Sequence, residues 1–287
     1  MTFDPNASLD PGQVSDRRGM GRAGLPVAGG GIGLIIVIAY ALLGGNPSDL
    51  GPILEPGGVT GPESSQLATD CQTGEDANER DDCRILGFVN SVQAYWEDEF
   101  AASGLTYEKV DTVLFSGATS SPCGTASGAT GPFYCPTDQQ VYIDLDFFGE
   151  LRSRFGAQGG PLAQGYVIAH EYGHHVQDLL GALSQSQQGS GAESGAVRVE
   201  LQADCYAGLW ASNAAETGFM EAPSPAQIAD ALDAAAAVGD DRIQESTSGQ
   251  VNPDSWTHGS SEQRQTWFQT GYKTGDPEAC DTFNAPI

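Results

Sequence analysis

The feature that most constrains this chain is a long stretch without charge near its N-terminus. Residues 23–48 contain no Asp, Glu, Lys or Arg. Within them, LPVAGGGIGLIIVIAYALLGG is apolar for about the 20 residues that a helix needs to cross a bilayer. We therefore predict one transmembrane helix over residues 25–45. The alternative is a signal peptide that is cleaved after AYA at residues 39–41.

The charges on either side of this stretch predict its orientation. Arg17, Arg18 and Arg22 precede it, whereas residues 44–70 contain no Lys or Arg. Because positively charged flanks stay in the cytoplasm, residues 1–24 are expected to be cytoplasmic and the remainder extracytoplasmic. All six cysteines follow the stretch, where an oxidising compartment would allow them to pair. The sequence therefore predicts a single-pass protein of the cell membrane.

The composition after this stretch predicts a linker and then one domain. Residues 46–70 are rich in Gly, Pro and Ser, which is typical of an irregular linker. A folded domain is therefore expected over residues 71–287. The formal net charge of −26 excludes nucleic acid as a favourable partner, because its phosphates would repel so acidic a protein.

The cysteines predict a disulfide framework in this domain. Six cysteines allow fifteen pairings. Short spacings favour two local bridges and leave a third pair: Cys71–Cys83, Cys123–Cys135 and Cys205–Cys280. Free or metal-binding thiols are the alternative, although the chain has no CxxC pair.

Hydrophobic periodicity predicts a mainly helical α+β domain with one small sheet. Apolar residues at helical spacing predict an amphipathic helix over CRILGFVNSVQAYWEDEFAAS. Further helices are expected over residues 161–181, 196–216, 225–238 and 261–272. Alternation over residues 141–147 predicts a half-buried strand with Asp144 and Asp146 on its solvated face. Calcium binding is the alternative role for these aspartates.

The motif HExxH lies on the predicted helix 161–181, at His170, Glu171 and His174. Residues four apart on a helix lie one turn above each other, so both imidazoles can bind one metal ion with Glu171 beside them. This arrangement is typical of zinc hydrolases. The alternative is that these histidines are packed on a buried helix. His175 is turned away from the face of His170 and is expected to be a structural or surface residue.

A second pattern offers a third metal ligand. A catalytic zinc site needs three protein ligands and one open position. The next predicted helix contains ELQAD, in which Glu200 and Asp204 share a face. We predict that Glu200 completes a His-His-Glu set and that Asp204 accepts the outer N–H of a ligand histidine. The alternative is a solvated pair of carboxylates.

Several ordered blocks resemble one protein family. They are GPFYCPTDQQVYIDL, HEYGHHVQ, VELQADCYAGLW and HGSSEQRQTWFQTG. The chain resembles the bacterial membrane-anchored neutral zinc metallopeptidases, whose motif is related to that of the gluzincins. The resemblance implies a zincin-like domain that binds Zn²⁺ through His170, His174 and Glu200. It also implies that Glu171 is the general base and that Asp204 supports the ligands.

These residues predict a zinc metallopeptidase that hydrolyses peptide or protein substrates outside the cytoplasm, with Glu171 assisting the attack of zinc-bound water. His258, in THGSSEQRQTWF, is expected to donate a hydrogen bond to the oxyanion, as a histidine does in gluzincins. The alternative for His258 is an exposed residue near a helix start. By the same resemblance, strand 141–147 is expected to offer its edge to an extended substrate.

Two other functions are compatible with the sequence. One is a membrane-tethered binding protein in which zinc is structural, although such a protein would not require Glu171. The other is a zinc amidase that acts on cell-wall peptides.

Overall fold

The computed structural model describes residues 3–18, 65–127, 130–184 and 189–287. These residues form the mainly helical α+β fold that the sequence predicts. The predicted membrane helix over residues 25–45 lies outside them, as does most of the predicted linker. Among the helices in the described ranges, none has both the length and the apolar character that crossing a membrane requires.

The helices agree closely with the sequence-based expectations. Among the described residues there are nine: α1 Ser65–Asp70, α2 Gly74–Glu79, α3 Asp81–Ala102, α4 Phe147–Ser153, α5 Pro161–Leu179, α6 Gly195–Asn213, α7 Pro225–Ala237, α8 Asp240–Ser248 and α9 Ser261–Thr274. The five predicted helices correspond to α3, α5, α6, α7 and α9 and are confirmed. Their starts follow from local chemistry: Ser194, Ser224 and Ser260 each accept a hydrogen bond from a first-turn N–H.

The strands form two small sheets rather than the one expected. They are β1 Val14–Asp16, β2 Thr112–Phe115, β3 Ala118–Ser121, β4 Gly124–Ser127, β5 Phe133–Cys135 and β6 Gln140–Asp144. The larger sheet has the order β1-β2-β6-β5, in which β1, β2 and β6 are parallel and β5 is antiparallel to β6. Strands β3 and β4 form a separate hairpin.

The environment of β6 differs from the half-buried strand that the alternation predicts. The strand ends at Asp144, and Phe147 begins α4. A small apolar cluster that includes Tyr142 lies apart from the main core, so both faces of β6 are covered and Asp144 is fully buried. The expectation that Asp144 is solvated is wrong. The predicted free edge is also wrong, because β6 is paired with β2 on one side and β5 on the other.

Residues 3–18 pack against the domain although they precede the apolar stretch. β1 extends the sheet beside β2. The ring of Phe3 is fully buried and packs edge-on against Phe88, with the two ring centroids 5.1 Å apart. The fold therefore includes residues that the predicted boundary at residue 71 leaves out.

The three predicted disulfide bonds are confirmed: Cys71–Cys83, Cys123–Cys135 and Cys205–Cys280. The third fastens the C-terminal segment to α6. Helices α6 and α9 also touch through their backbones, because a Cβ atom at Gly271 would lie 2.0 Å from the carbonyl oxygen of Cys205. This close approach, which only glycine permits, brings α9 over the residues of α6 that face α5.

Candidate metal centre

The predicted ligands on α5 and α6 lie together in the structure. The Nε2 atoms of His170 and His174 lie 3.2 and 3.6 Å from the two carboxylate oxygens of Glu200. The helices approach closely here, because a Cβ atom at Gly173 would be 3.1 Å from the Cα of Ala203. One ligand atom from each of the three residues lies within 4.8 Å of the others, which is close enough to surround one metal ion.

The proton of His170 is fixed on the side away from Glu200. Its Nδ1 lies 2.9 Å from Oδ1 of the fully buried Asp204. Burial raises the pKa of Asp204, but Arg264 and His170 outweigh burial and lower it. The ionised carboxylate only accepts hydrogen bonds, so Nδ1 is the donor. Burial lowers the pKa of His170, but Asp204 more than offsets this and raises it to about 10, so metal binding at Nε2 competes with a proton.

The proton of His174 is fixed by Gln177, which the sequence analysis did not identify. The Nε2 of Gln177 donates to the carbonyl oxygen of Val199 at 2.7 Å and to Oε1 of Gln202 at 3.0 Å. Because both amide hydrogens are used, Oε1 of Gln177 accepts from Nδ1 of His174 at 2.9 Å. This leaves the lone pair of His174 Nε2 for a metal ion. The three-residue spacing in HHVQ placed Gln177 on the correct face.

Asp204 is also held in place by two buried residues that were not predicted as part of the site. Arg264 on α9 donates to both carboxylate oxygens, at 2.8 and 3.0 Å, and Tyr166 donates to Oδ1 at 2.6 Å. With His170, these groups surround the carboxylate of Asp204. A single arginine on a distant helix carries no sequence pattern that points to this contact.

This donor set fits zinc. With Nδ1 of His170 and of His174 held by Asp204 and Gln177, Nε2 is the nitrogen that each imidazole has left for a metal ion. Burial raises the pKa of Glu200, but His174 and His258 outweigh it and bring it well below its ordinary value, so Glu200 is a carboxylate. Two histidines and one glutamate are a ligand set of catalytic zinc sites, and three protein ligands leave one position for water or substrate.

Two further predicted residues, Glu171 and His258, lie on segments that carry or contact this set. Glu171 follows His170 on α5 and is 8% exposed. The His258 segment lies against α6, because a Cβ atom at Gly259 would be 3.1 Å from Val197 and 3.3 Å from Leu201. Those two residues flank Glu200 in sequence. His258 is therefore close to the candidate ligands, as its contribution to the pKa of Glu200 also indicates.

Asp240 holds the His258 segment and was missed by the sequence analysis. Its Oδ2 accepts hydrogen bonds from the backbone N–H groups of Thr257, His258 and Gly259 at 2.7–3.1 Å. Its Oδ1 lies 3.4 Å from Nδ1 of His258. Burial lowers the pKa of His258, but Glu200 and Asp240 outweigh burial and raise it. Nδ1 of His258 therefore faces a carboxylate oxygen of Asp240.

His175 is a structural residue, as expected, and is fully buried rather than on the surface. Its Nε2 lies 2.7 Å from the carbonyl oxygen of Glu108, and its Nδ1 lies 3.2 Å from the hydroxyl of Tyr134. It therefore joins α5 to the loop before β2 and to β5.

Replacing Asp204 with asparagine is expected to lower zinc affinity by roughly 10- to 100-fold, the usual cost of losing an outer partner of a ligand histidine. The amide removes the charge that both Arg264 and His170 require. Competition with a chelator measures the change. Asp98→Asn, at an exposed position on α3, serves as the control. Unchanged affinity in Asp204→Asn would mean that this carboxylate does not support His170.

The geometry and the comparisons with known proteins agree on the class. Two helical histidines, a glutamate from the next helix and a glutamate beside the first histidine have the residue types and spacing that are typical of zinc hydrolases. The chain belongs to the family described as putative neutral zinc metallopeptidase, whose model matches residues 7–283.

The relatives are uncharacterized proteins. The chain is 40% identical over 288 residues to the uncharacterized protein YpfJ of Escherichia coli (strain K12), with 96% of each chain covered. It is 53% identical over 223 residues to an uncharacterized protein of Mycobacterium tuberculosis (strain ATCC 25618 / H37Rv), with 75% of each chain covered. No solved structure matches the chain.

Proposed function

We propose that this protein is a zinc-dependent peptidase that hydrolyses peptide bonds in peptide or protein substrates. The observation that carries this proposal is the juxtaposition of His170, His174 and Glu200, with both imidazole protons held on the far side. The presence of Glu171 favours a catalytic site over a purely structural metal site, because zinc that only stabilises a fold does not need a neighbouring base. Family membership supports the same activity.

The residues divide the chemistry between them. His170, His174 and Glu200 would hold the zinc ion, which when bound supplies a Lewis acid that activates water and polarises the scissile carbonyl. Glu171 accepts the proton of the attacking water and delivers it to the leaving amine. Asp204 and Gln177 keep the two imidazoles in one tautomer and one orientation throughout.

His258 is proposed to stabilise the developing oxyanion. Its Nδ1 faces Asp240, and Glu200 lies close by, so Nε2–H is the atom that can donate toward a substrate oxygen. Asp240 acts on His258 from behind and orients the ring rather than touching substrate.

Replacing His258 with alanine is expected to lower turnover by roughly 10²- to 10³-fold, the usual cost of one oxyanion donor. Zinc content and melting temperature should stay close to those of the parent, because His258 is not a ligand in this scheme. Steady-state kinetics with zinc analysis measures both. Unaltered turnover, or a loss explained entirely by lost zinc or unfolding, would return His258 to a structural role.

Strand β5 is the proposed place for an extended substrate, in place of β6. It is an outer strand of the sheet, and the hydroxyl of Tyr134 on β5 donates to Asp178 of α5 at 2.8 Å. β5 therefore lies near the helix that carries HExxH. A substrate that pairs with the outer edge of β5 would be bound through its backbone. Preference for particular substrate sequences would then depend on pockets for the substrate's side chains.

The proposed place of action is outside the cytoplasm. Three disulfide bonds support an oxidising compartment. The apolar stretch at residues 23–48 supports attachment to a membrane. The substrate would then be an extracytoplasmic peptide or protein.

Mass spectrometry of a peptide library tests the activity. The full-length protein, loaded with zinc, is incubated with peptides derived from a whole proteome, and Glu171→Gln is the matched control. Cuts made by the parent and absent with the variant support a peptidase. Full zinc occupancy without any cut contradicts it. Purified cell-wall fragments, incubated in parallel, show whether an amide bond in the wall is hydrolysed instead.

A further inference from the structure

The N-terminal segment, residues 3–18, packs against a surface of the domain. We call this surface, which Asn78, Gly87, Phe88 and Asn90 form, the seat. Asn78 accepts from the N–H of Phe3 at 2.8 Å and donates to its carbonyl oxygen at 2.9 Å. Asn90 makes the same pair of bonds with Asp10, at 2.7 and 3.1 Å. A side-chain amide that meets both backbone groups of one residue replaces the hydrogen bonds of a neighbouring strand. These two asparagines therefore hold the backbone of the segment.

The ring of Phe3 fixes the position of the segment. A Cβ atom at Gly87 would lie 2.5 Å from this ring, so only glycine at that position leaves room for it. Phe3 contacts Phe88, and Phe88 contacts Trp210 of α6 edge-on at 5.8 Å. The segment is thus joined through two aromatic contacts to the helix that carries Glu200.

The other end of the segment is also held by hydrogen bonds and an ion pair with the domain. β1 pairs in parallel with β2, and the N–H of Arg17 continues this pairing to the carbonyl oxygen of Leu114 at 2.8 Å. The guanidinium of Arg18 meets Asp82 of α3 at 2.9 Å and is paired with Asp16 as well. Arg18 is one of the charges on which the predicted membrane orientation depends. In the structure its side chain forms ion pairs within the fold.

We infer that residues 3–18 and residues 65–287 lie on the same side of the membrane. A chain that crosses a bilayer once between residues 19 and 64 would put the segment and its seat in different compartments. Cleavage after residue 41 would separate the segment from the mature protein. Neither topology allows the observed contacts. The family model matches from residue 7 and so includes most of the segment.

This inference assigns an occupant to the surface formed by Asn78, Gly87, Phe88 and Asn90. The occupant is the N-terminal segment of the same chain. On this inference, residue 18 and residue 65 lie on the same side of the membrane. The inference concerns topology and does not depend on the proposed peptidase activity.

Accessibility of the two chain ends tests the inference directly. The full-length chain carries one epitope tag before Met1 and another after Ile287, each behind a cleavage site for a sequence-specific protease. The protease is added to intact spheroplasts that express the chain, and a cytoplasmic protein with the same cleavage site reports leakage. Release of both tags before lysis, or of both only after lysis, supports the inference. Release of the C-terminal tag alone before lysis overturns it.

A stability measurement tests the seat independently of any membrane assay. In the purified full-length protein, Phe3→Ala is expected to lower the melting temperature by on the order of 10 °C, because a fully buried aromatic ring is lost. Leu105→Ala removes an exposed apolar side chain and should change it by no more than about 2 °C. An equally small change for Phe3→Ala would mean that the seat is empty, and the inference would fail.

Discussion

Glu171→Gln is expected to lower turnover by about 10²- to 10⁴-fold while zinc stays bound, the range that a positioned general base contributes. Glutamine keeps the size of the side chain but cannot accept the proton of the attacking water. His170, His174 and Glu200 are untouched, so the metal centre should remain assembled. Turnover of a peptide from the library and zinc content by atomic emission measure the two effects.

The control for this variant is Glu221→Gln, which removes one charge from an exposed position. It should have the activity of the parent. If Glu171→Gln kept activity within a few-fold of the parent, another group would have to be the base. If it lost zinc as well, the variant would report on metal binding and not on proton transfer.

Glu200→Ala is expected to remove most of the bound zinc. Glu200 is the carboxylate among the three candidate ligands, and both ligand imidazoles face it. The loss should exceed the roughly 10- to 100-fold cost of an outer partner, because a direct donor and a buried negative charge disappear together. Zinc affinity is measured by chelator competition and the fold by circular dichroism.

Glu200→Asp is the informative companion, since it keeps the charge and moves the oxygens back by one methylene. It should bind zinc more tightly than Glu200→Ala and less tightly than the parent. Full zinc content in Glu200→Ala would remove this residue from the ligand set and leave the two histidines without their predicted third partner.

The parts of the site that the sequence predicted are those that local spacing determines. HExxH lies within one helix, and ELQAD lies within the next, so helical geometry alone put His170 beside His174 and Glu200 near Asp204. Helix boundaries were predictable for the same reason, because serine caps and Pro161 act within one turn.

The parts that the sequence did not predict depend on contacts between distant residues. Arg264 is 60 residues from Asp204, and Phe3 is 75 residues from Asn78. β1 and β5 have three residues each, too few for alternation to be recognised. The alternation over residues 141–147 also predicted one solvated face, whereas four of the five residues of β6 are buried. The strand is paired on both sides, and a second apolar cluster packs against it.

The hydrogen-bond partners of Asp204 become available at different times during synthesis at the ribosome. Its partners Tyr166 and Arg264 are 98 residues apart in the chain, so translation releases HExxH and ELQAD long before α9 exists. Until α9 packs against α6, the carboxylate of Asp204 lacks its guanidinium partner. The hydrogen-bond partners of Asp204 are therefore complete only after nearly the whole chain has been made. A product that terminates before α9 would contain HExxH and ELQAD without Arg264 beside Asp204.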